Sequence, residues 1–331
     1  MSTQSRLGNP ISVAPMVDIT TPNFLELLHI ISGQRHVYYT EMHHARAIYQ
    51  HQAYLDRFVG TPRSNVVVQL GGSEPILLAD AAKILQDYGY AEININVGCP
   101  SPNVQQGKFG AVLMKTPHVV ADILNEMEKK SITIPVTVKC RIGVDHLDSF
   151  DFLHQFVETL MQCERPPPHL IVHARKCILK GLSPKQNRTV PPLKHQTVYD
   201  LANLYPLLPI SINGGFTTTE SIKTALDQVD GCMIGRKDIF HVPENEIKSP
   251  LNVINEYLDY GDKLMSLKLD SDILYGLPPI TVLTRPLMML FTGKPGRLFR
   301  RELFSQLQQT PRSSQNLRHI VTQSLANAGI Q

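Results

Sequence analysis

The sequence lacks the features that mark several classes of protein. No run of about 18 consecutive apolar residues occurs in its 331 residues, so we expect no membrane span. The polar N-terminus has no apolar run like that of a signal peptide, and the five cysteines form no CxxC pair. We therefore expect a cytoplasmic protein with free thiols and no metal site.

A large excess of charge of one sign is also absent. The chain has 32 Lys and Arg residues against 29 Asp and Glu residues, for a net charge of +3. The chain as a whole is therefore not a polycation, and binding to a nucleic acid would require a local basic surface. Hydrophobic residues make up 42% of the chain and charged residues 18%, a composition that argues against global disorder.

Short runs rich in Val and Ile alternate with longer amphipathic segments over about the first 240 residues. The short runs predict eight strands, at 11–16, 37–41, 65–70, 92–96, 135–139, 169–174, 209–213 and 231–236. The clearest helical patterns lie at 75–89, 116–130, 149–162 and 217–229. This alternation predicts an α/β fold, a (β/α)8 TIM barrel. An open doubly wound sheet is the alternative, and the absence of a GxGxxG loop makes it less favoured.

The last part of the chain has a different pattern. Residues 244–331 show helical periodicity and no strand alternation, so we predict a catalytic barrel at 1–243 and a small helical domain at 244–331. Between residues 285 and 318 there are seven basic residues and one acidic residue. The loop at 175–188 has five basic residues and no acidic one. Such surfaces suit a polyanion, although solvated basic faces remain the alternative.

Polar residues end five of the predicted strands. Active sites of such barrels lie at the carboxyl ends of the strands. These residues are Gln69, Asn96, Lys139, His173 and Asn213. A lysine at the end of an apolar strand needs an anion or a ligand, such as a reduced flavin, and a Schiff-base lysine is the competing interpretation.

Two further features at the strand ends suggest chemistry. Asn213-Gly214-Gly215 and Gly235-Arg236 end the last two strands, where many barrels bind a phosphate group. Cys99 lies in a Gly-Cys-Pro turn just after the fourth strand. A cysteine thiol holds its proton at neutral pH, so it could act as a proton donor there, although a lone cysteine is more often structural.

Long motifs in this sequence resemble the tRNA-dihydrouridine synthases. The shared segments include APMVDIT (14–20), EININVGCPSPNVQQGKFGAVLM (92–114), PVTVKCRIG (135–143), HARK (173–176), SINGG (211–215) and MIGR (233–236). The segment GLSPKQNR (181–188) is similar to the A group of that family. The resemblance covers the whole barrel and, more weakly, the C-terminal helices.

The resemblance implies a flavoenzyme that uses FMN, with NADPH as the reductant, to reduce uridine at position 20 or 20a of the tRNA D-loop. It implies that Cys99 is the catalytic proton donor. The implied FMN-binding residues are Pro15, Met16, Val17, Gln69, Lys139, His173, Asn213, Gly214, Gly215, Gly235 and Arg236. The implied tRNA-contacting residues are Asn96, Asn103, Lys185, Arg188, Arg297 and Arg300.

Two other functions are compatible with the sequence. An FMN barrel could instead reduce a small molecule, although such an enzyme would not need the basic C-terminal helices. A tRNA-binding protein without catalysis is the other alternative, and Cys99, Lys139 and the Asn213-Gly214-Gly215 turn argue against it. We expect tRNA as the partner and a monomer as the assembly.

Overall fold

A computed structural model describes residues 7–235, 248–266, 279–291, 293–311 and 315–330. The chain forms two compact units. The first contains the residues up to Thr20 and those from Gln34 through the last strand. The second contains Thr21–Gly33 together with the described residues after 247.

The first unit is a closed parallel barrel of eight strands in sequential order. The strands are β1 (Ile11–Val13), β2 (Val37–His44), β3 (Val66–Gly71), β4 (Ile93–Asn96), β5 (Val136–Arg141), β6 (Leu170–His173), β7 (Ile210–Asn213) and β8 (Gly231–Ile234). The predicted (β/α)8 barrel is therefore confirmed, and the open doubly wound sheet is excluded.

Helices follow the strands of the barrel and make up the second unit. They are α1 (Pro22–Ser32), α2 (Ala45–Gln50), α3 (Leu55–Phe58), α4 (Pro75–Tyr88), α5 (Pro102–Gln106), α6 (Pro117–Lys129), α7 (Phe150–Met161), α8 (His195–Leu204), α9 (Thr219–Leu226), α10 (Pro250–Ser266), α11 (Ile280–Thr284), α12 (Gly293–Gln309) and α13 (Leu317–Asn327).

Local residue chemistry explains where several helices begin. The Ser149 hydroxyl accepts the backbone N–H of Phe152, which caps α7 within one residue of the predicted start. The Thr218 hydroxyl caps α9 by accepting the N–H of Ser221. The predicted helical pattern begins at Thr217, and the cap is its neighbour because the Thr218 and Ser221 side chains satisfy each other's backbone.

The first strand is shorter than its apolar run predicts. The run extends to Met16, but β1 ends at Val13. The carbonyl of Met16 accepts the N–H groups of Ile19 and Thr20, at 3.0 and 2.9 Å, and therefore forms a turn at the barrel mouth. The last residues of the run are thus available to line a site.

The second unit has its own apolar core. Tyr257, Leu283, Phe299 and Val321 are fully buried in it, together with Leu27 of α1. The Tyr257 hydroxyl donates to the Leu283 carbonyl at 2.8 Å, which satisfies the one polar atom of that side chain. The predicted boundary between residues 243 and 244 lies outside the described residues and stays a prediction.

No helix within the described ranges is long and apolar enough to cross a membrane. In the same ranges, His, Cys, Asp and Glu side chains do not gather in groups of three or more that could hold a metal ion.

Candidate active site

The carboxyl ends of the strands bring the predicted polar residues to one mouth. Parallel pairing places Asn96 opposite Lys139 and His173 opposite Asn213. Gln69, on β3, pairs with Asn94, which lies two residues before Asn96. Because residues two apart on a strand face the same side, these side chains point into the barrel.

The turn that carries Cys99 is held at both of its flanks. The Asn96 Oδ1 atom accepts the backbone N–H groups of Gly98 and Cys99, at 3.1 and 2.9 Å. The Cys99 carbonyl accepts the N–H of Ala111 at 3.0 Å. Gly110 packs so closely there that a Cβ atom would lie 2.6 Å from the Cys99 oxygen. The thiol is partly exposed on a fixed turn.

Lys139 reaches the mouth from β5 and is only partly exposed. Its Nζ donates to Asn213 Oδ1 at 3.1 Å, and Asn213 Nδ2 donates to the Met233 carbonyl at 2.8 Å. Burial, with the nearby Arg141 cation, lowers the pKa of Lys139 to about 8. Lys139 therefore holds a positive charge at neutral pH in a place where an anion would stabilise it.

His173 is uncharged at neutral pH. Burial lowers its pKa well below the usual value, and the cations Arg141, Lys139 and Arg175 lower it further. A neutral imidazole offers one N–H donor and one acceptor nitrogen. Its chemistry therefore suits a hydrogen bond to a ligand with mixed donors and acceptors better than an ion pair.

The turn after β7 has glycine at two positions where a side chain would clash with neighbouring residues. Gly214 and Gly215 have φ angles of 111° and 86°, which side chains rarely adopt. A Cβ on Gly214 would lie 2.7 Å from the His173 ring, and one on Gly215 would lie 2.3 Å from Leu193. Successive backbone N–H groups in such a turn suit a phosphate group.

The end of β8 is the second part of the predicted phosphate site. Among the described residues, no atom lies within 4 Å of a Cβ placed on Gly235, so none of them fills the space beside that backbone. Arg236 lies outside the described residues.

The turn after β1 provides another edge of the mouth. Met16 N–H donates to the Thr20 hydroxyl at 2.9 Å, which closes the turn on itself. Pro15 and Met16 are partly buried, whereas the Val17 side chain is 51% exposed. The turn therefore leaves the Val17 side chain accessible beside the mouth.

The predicted tRNA-contacting residues occur in both units. In the barrel unit, Asn103 on α5 and both Lys185 and Arg188, in the loop after β6, are exposed. In the second unit, Arg297 is exposed on α12. Arg300 is half-buried, and its Nη1 donates to the carbonyls of Met288 and Phe291 at 3.2 and 3.0 Å, so it also stabilises the local fold.

Two residues that the sequence did not single out organise the mouth. Arg141 is buried, and its Nε donates to the Gly98 carbonyl at 2.8 Å. Its Nη1 donates to the Asn187 carbonyl at 3.3 Å. The Asn187 side chain is fully buried and bonds both backbone groups of Ile178, so it anchors the loop that carries Lys185. The VKCR segment was the available sequence signal for Arg141, because residues two apart on a strand face the same side and Arg141 therefore shares a face of β5 with Lys139.

Comparisons with known proteins identify the family of this chain. The dihydrouridine synthase (Dus) family model matches residues 12–240. A Synechocystis sp. protein named tRNA-dihydrouridine(20/20a) synthase is 42% identical over 319 residues, covering 90% of this chain and 89% of that protein. An Escherichia coli protein of the same name is 38% identical over 310 residues, covering 88% and 85%. The chain therefore belongs to the dihydrouridine synthase family of enzymes, as its motifs predicted.

Proposed function

We propose that this enzyme reduces the C5–C6 bond of a uridine at position 20 or 20a in the D-loop of tRNA, with FMN as the cofactor and NADPH as the reductant. One observation carries the proposal: a fixed turn presents Cys99 at the same mouth as Lys139 and the glycine turn after β7. The names of both relatives support the substrate and the modified position.

The donor chemistry of the mouth fits FMN. The Gly214-Gly215 turn would hold the phosphate, with Asn213, Gly235 and Arg236 beside it. Gln69, Lys139 and His173 would bind the polar edge of the ring system, and Pro15, Met16 and Val17 would contact it beside β1. When bound, FMN supplies the hydride that adds to C6 of the uracil.

Cys99 would complete the reduction by donating its thiol proton to C5 of the uracil. Addition of a hydride at C6 leaves negative charge on C5 and O4, so the C5 carbon becomes basic as the new C–H bond forms. Asn96 holds the Cys99 turn through its oxygen, so only its Nδ2 group remains for the substrate. An amide N–H can donate to a uracil carbonyl and thereby position the base.

The tRNA would need a basic surface because the target base must leave its stack, which costs a few kcal/mol. Lys185 and Arg188 in the barrel unit, and Arg297 and Arg300 in the second unit, supply cations for phosphate contacts. Asn103 supplies an exposed amide. We propose that the enzyme acts as a cytoplasmic monomer.

The test compares tRNA from cells with the gene, without it, and with a Cys99→Ala copy. Each tRNA pool is digested and scanned position by position for dihydrouridine. We expect loss at position 20 or 20a in both the deletion and the Cys99→Ala strain. Loss at a different D-loop position would overturn the assigned position. Full dihydrouridine in a strain that lacks every other synthase would refute the reaction and favour a small-molecule reductase.

A further inference from the structure

We propose that Asn94, Thr137 and Glu92 are positioning residues that fix the direction of the Gln69 and Asn96 amides and, through Asn96, the turn that carries Cys99. The inference rests on the proposed function for the role of Cys99 as the proton donor and for FMN as the cofactor.

A continuous series of side-chain hydrogen bonds crosses the barrel interior below the mouth. Asn96 Nδ2 donates to Gln69 Oε1 at 2.7 Å, and Gln69 Nε2 donates to Asn94 Oδ1 at 2.7 Å. Asn94 Nδ2 donates to the Thr137 hydroxyl at 3.0 Å, and that hydroxyl donates to Glu92 Oε1 at 2.8 Å. We call this series the amide relay. All of its side chains except Glu92 are at most 8% exposed.

The upper end of the amide relay has a fixed direction. The backbone groups of Gly98 and Cys99 are N–H donors and cannot accept, so the oxygen of Asn96 must face them. The amino group of Asn96 must then face Gln69, which presents its oxygen in return. The amino group of Gln69 is consequently directed to Asn94.

The hydrogen bonds at the lower end follow the same direction. The Thr137 hydroxyl has one proton, and the Glu92 carboxyl group has an acceptor oxygen for it in either protonation state. When the Thr137 hydroxyl donates to Glu92 Oε1, which lies nearer than the Ile93 carbonyl at 3.3 Å, its lone pairs accept from the Asn94 amino group at 3.0 Å. The direction set by the two backbone N–H groups at Asn96 thus continues through the intervening amides to Glu92, with each donor facing an acceptor.

The consequence for the site concerns the atoms that remain free. Both lone pairs of Asn96 Oδ1 are occupied by Gly98 and Cys99, so Asn96 can only donate to a ligand. If Asn96 were reversed, its amino group would face two N–H donors and the Cys99 turn would lose its shared acceptor. The amide relay thus links a carboxyl group outside the mouth to the placement of the reactive thiol.

Matched substitutions at two positions test the amide relay. Thr137→Val removes the hydroxyl at nearly constant shape, and Thr137→Ser restores it. Glu92→Leu removes the acceptor oxygen, and Glu92→Gln keeps one. Glu92 is partly exposed, so its pair remains informative if Thr137→Val does not fold.

The first readout needs neither tRNA nor flavin. Flavin-free protein is treated with iodoacetamide, and alkylation of the Cys99 peptide is timed by mass spectrometry. Cys163 is the internal reference because it is also partly exposed and its thiol donates to the Leu160 carbonyl at the end of α7. We expect several-fold faster alkylation of Cys99, but not Cys163, in Thr137→Val and Glu92→Leu. The Ser and Gln variants should stay near the parental rate.

The second readout is the holoenzyme. For the two disrupting variants we expect kcat to fall about tenfold, with the KM for tRNA unchanged and FMN binding weakened. Lower melting temperatures with parental Cys99 alkylation, FMN affinity and kcat would reduce these residues to a structural role and overturn the proposal. If the parent enzyme does not modify tRNA, the proposed function fails, whereas the alkylation result still decides the amide relay.

Discussion

Lys139→Met should stabilise the flavin-free protein at neutral pH while it impairs the enzyme. In the parent protein, burial and then the Arg141 cation lower the pKa of Lys139 to about 8. Below that pH the charged Lys139 side chain therefore lowers the free energy of unfolding of the barrel. Its Nζ donates to the Asn213 amide oxygen, a neutral acceptor. A methionine has a similar length and no charge, so the substitution removes that cost.

The magnitude follows from the displaced pKa. A fall from 10.5 to about 8 corresponds to about 3 kcal/mol, at about 1.4 kcal/mol per pH unit. Losing the hydrogen bond to Asn213 costs about 1 kcal/mol in return. The expected net gain in the free energy of unfolding is therefore about 2 kcal/mol at pH 7.

The sign of the pH dependence is a second check on the reasoning. Between pH 8 and 10.5 the unfolded parent chain binds more protons at this lysine than the folded chain, so parental stability rises with pH over that window. The variant lacks this rise. Its advantage over the parent should consequently disappear as the pH approaches 10.

The assay is urea unfolding of flavin-free protein at pH 7 and pH 10. It is followed by circular dichroism because the chain contains no tryptophan. Lys180→Met is the matched control, since Lys180 is an exposed lysine of the same barrel unit, and it should leave stability unchanged. Equal or lower stability of Lys139→Met at pH 7, or a rise in its stability between pH 7 and pH 10 as large as that of the parent, would refute the reasoning.

Four further substitutions test the site. Cys99→Ala should lower turnover by about 10² to 10⁴ while FMN and tRNA still bind, and a parental rate would remove it as the proton donor. Gly215→Ala should weaken FMN binding and lower stability by about 1–3 kcal/mol, because the new Cβ would lie 2.3 Å from Leu193 and the backbone has a φ of 86°. An unchanged Kd for FMN would contradict the phosphate site. Arg297→Ala should reduce the salt dependence of tRNA binding by about one ion without changing stability. Arg300→Ala should also destabilise the fold, because two carbonyls lose their donor. If the salt dependence of Arg297→Ala equals that of the parent, Arg297 is not part of the tRNA interface.

The barrel could be predicted because each strand has a local signal. Its apolar run is short and β-branched, and the following helix often begins at a recognisable cap such as Ser149. The lengths of β1 and β2 could not be predicted in this way. The register of β2 against β3 shifts between Tyr39 and Met42, which lets β2 continue to His44. Such an irregularity depends on the neighbouring strand and leaves no periodic trace in its own sequence.

The site was predictable to the extent that it lies at strand ends. Gln69, Asn96 and Lys139 each end an apolar run, so the barrel topology alone places them at one mouth. The hydrogen bonds among these side chains depend on the register between neighbouring strands. Thr137 is 43 residues from Asn94, and only the register of β4 on β5 makes them partners. Sequence spacing alone could not have revealed the amide relay.

The positive charge at the mouth explains why stability and function should oppose each other there. Lys139 donates to an amide and Arg141 donates to backbone carbonyls, so both cations have neutral acceptors. Each also lies within the other's field, which together with burial lowers the pKa of Lys139 and that of His173. A bound anion would offset this repulsion, and hydride transfer to a uracil creates such an anion transiently. The charge that destabilises the flavin-free barrel is therefore the charge that the proposed reaction requires.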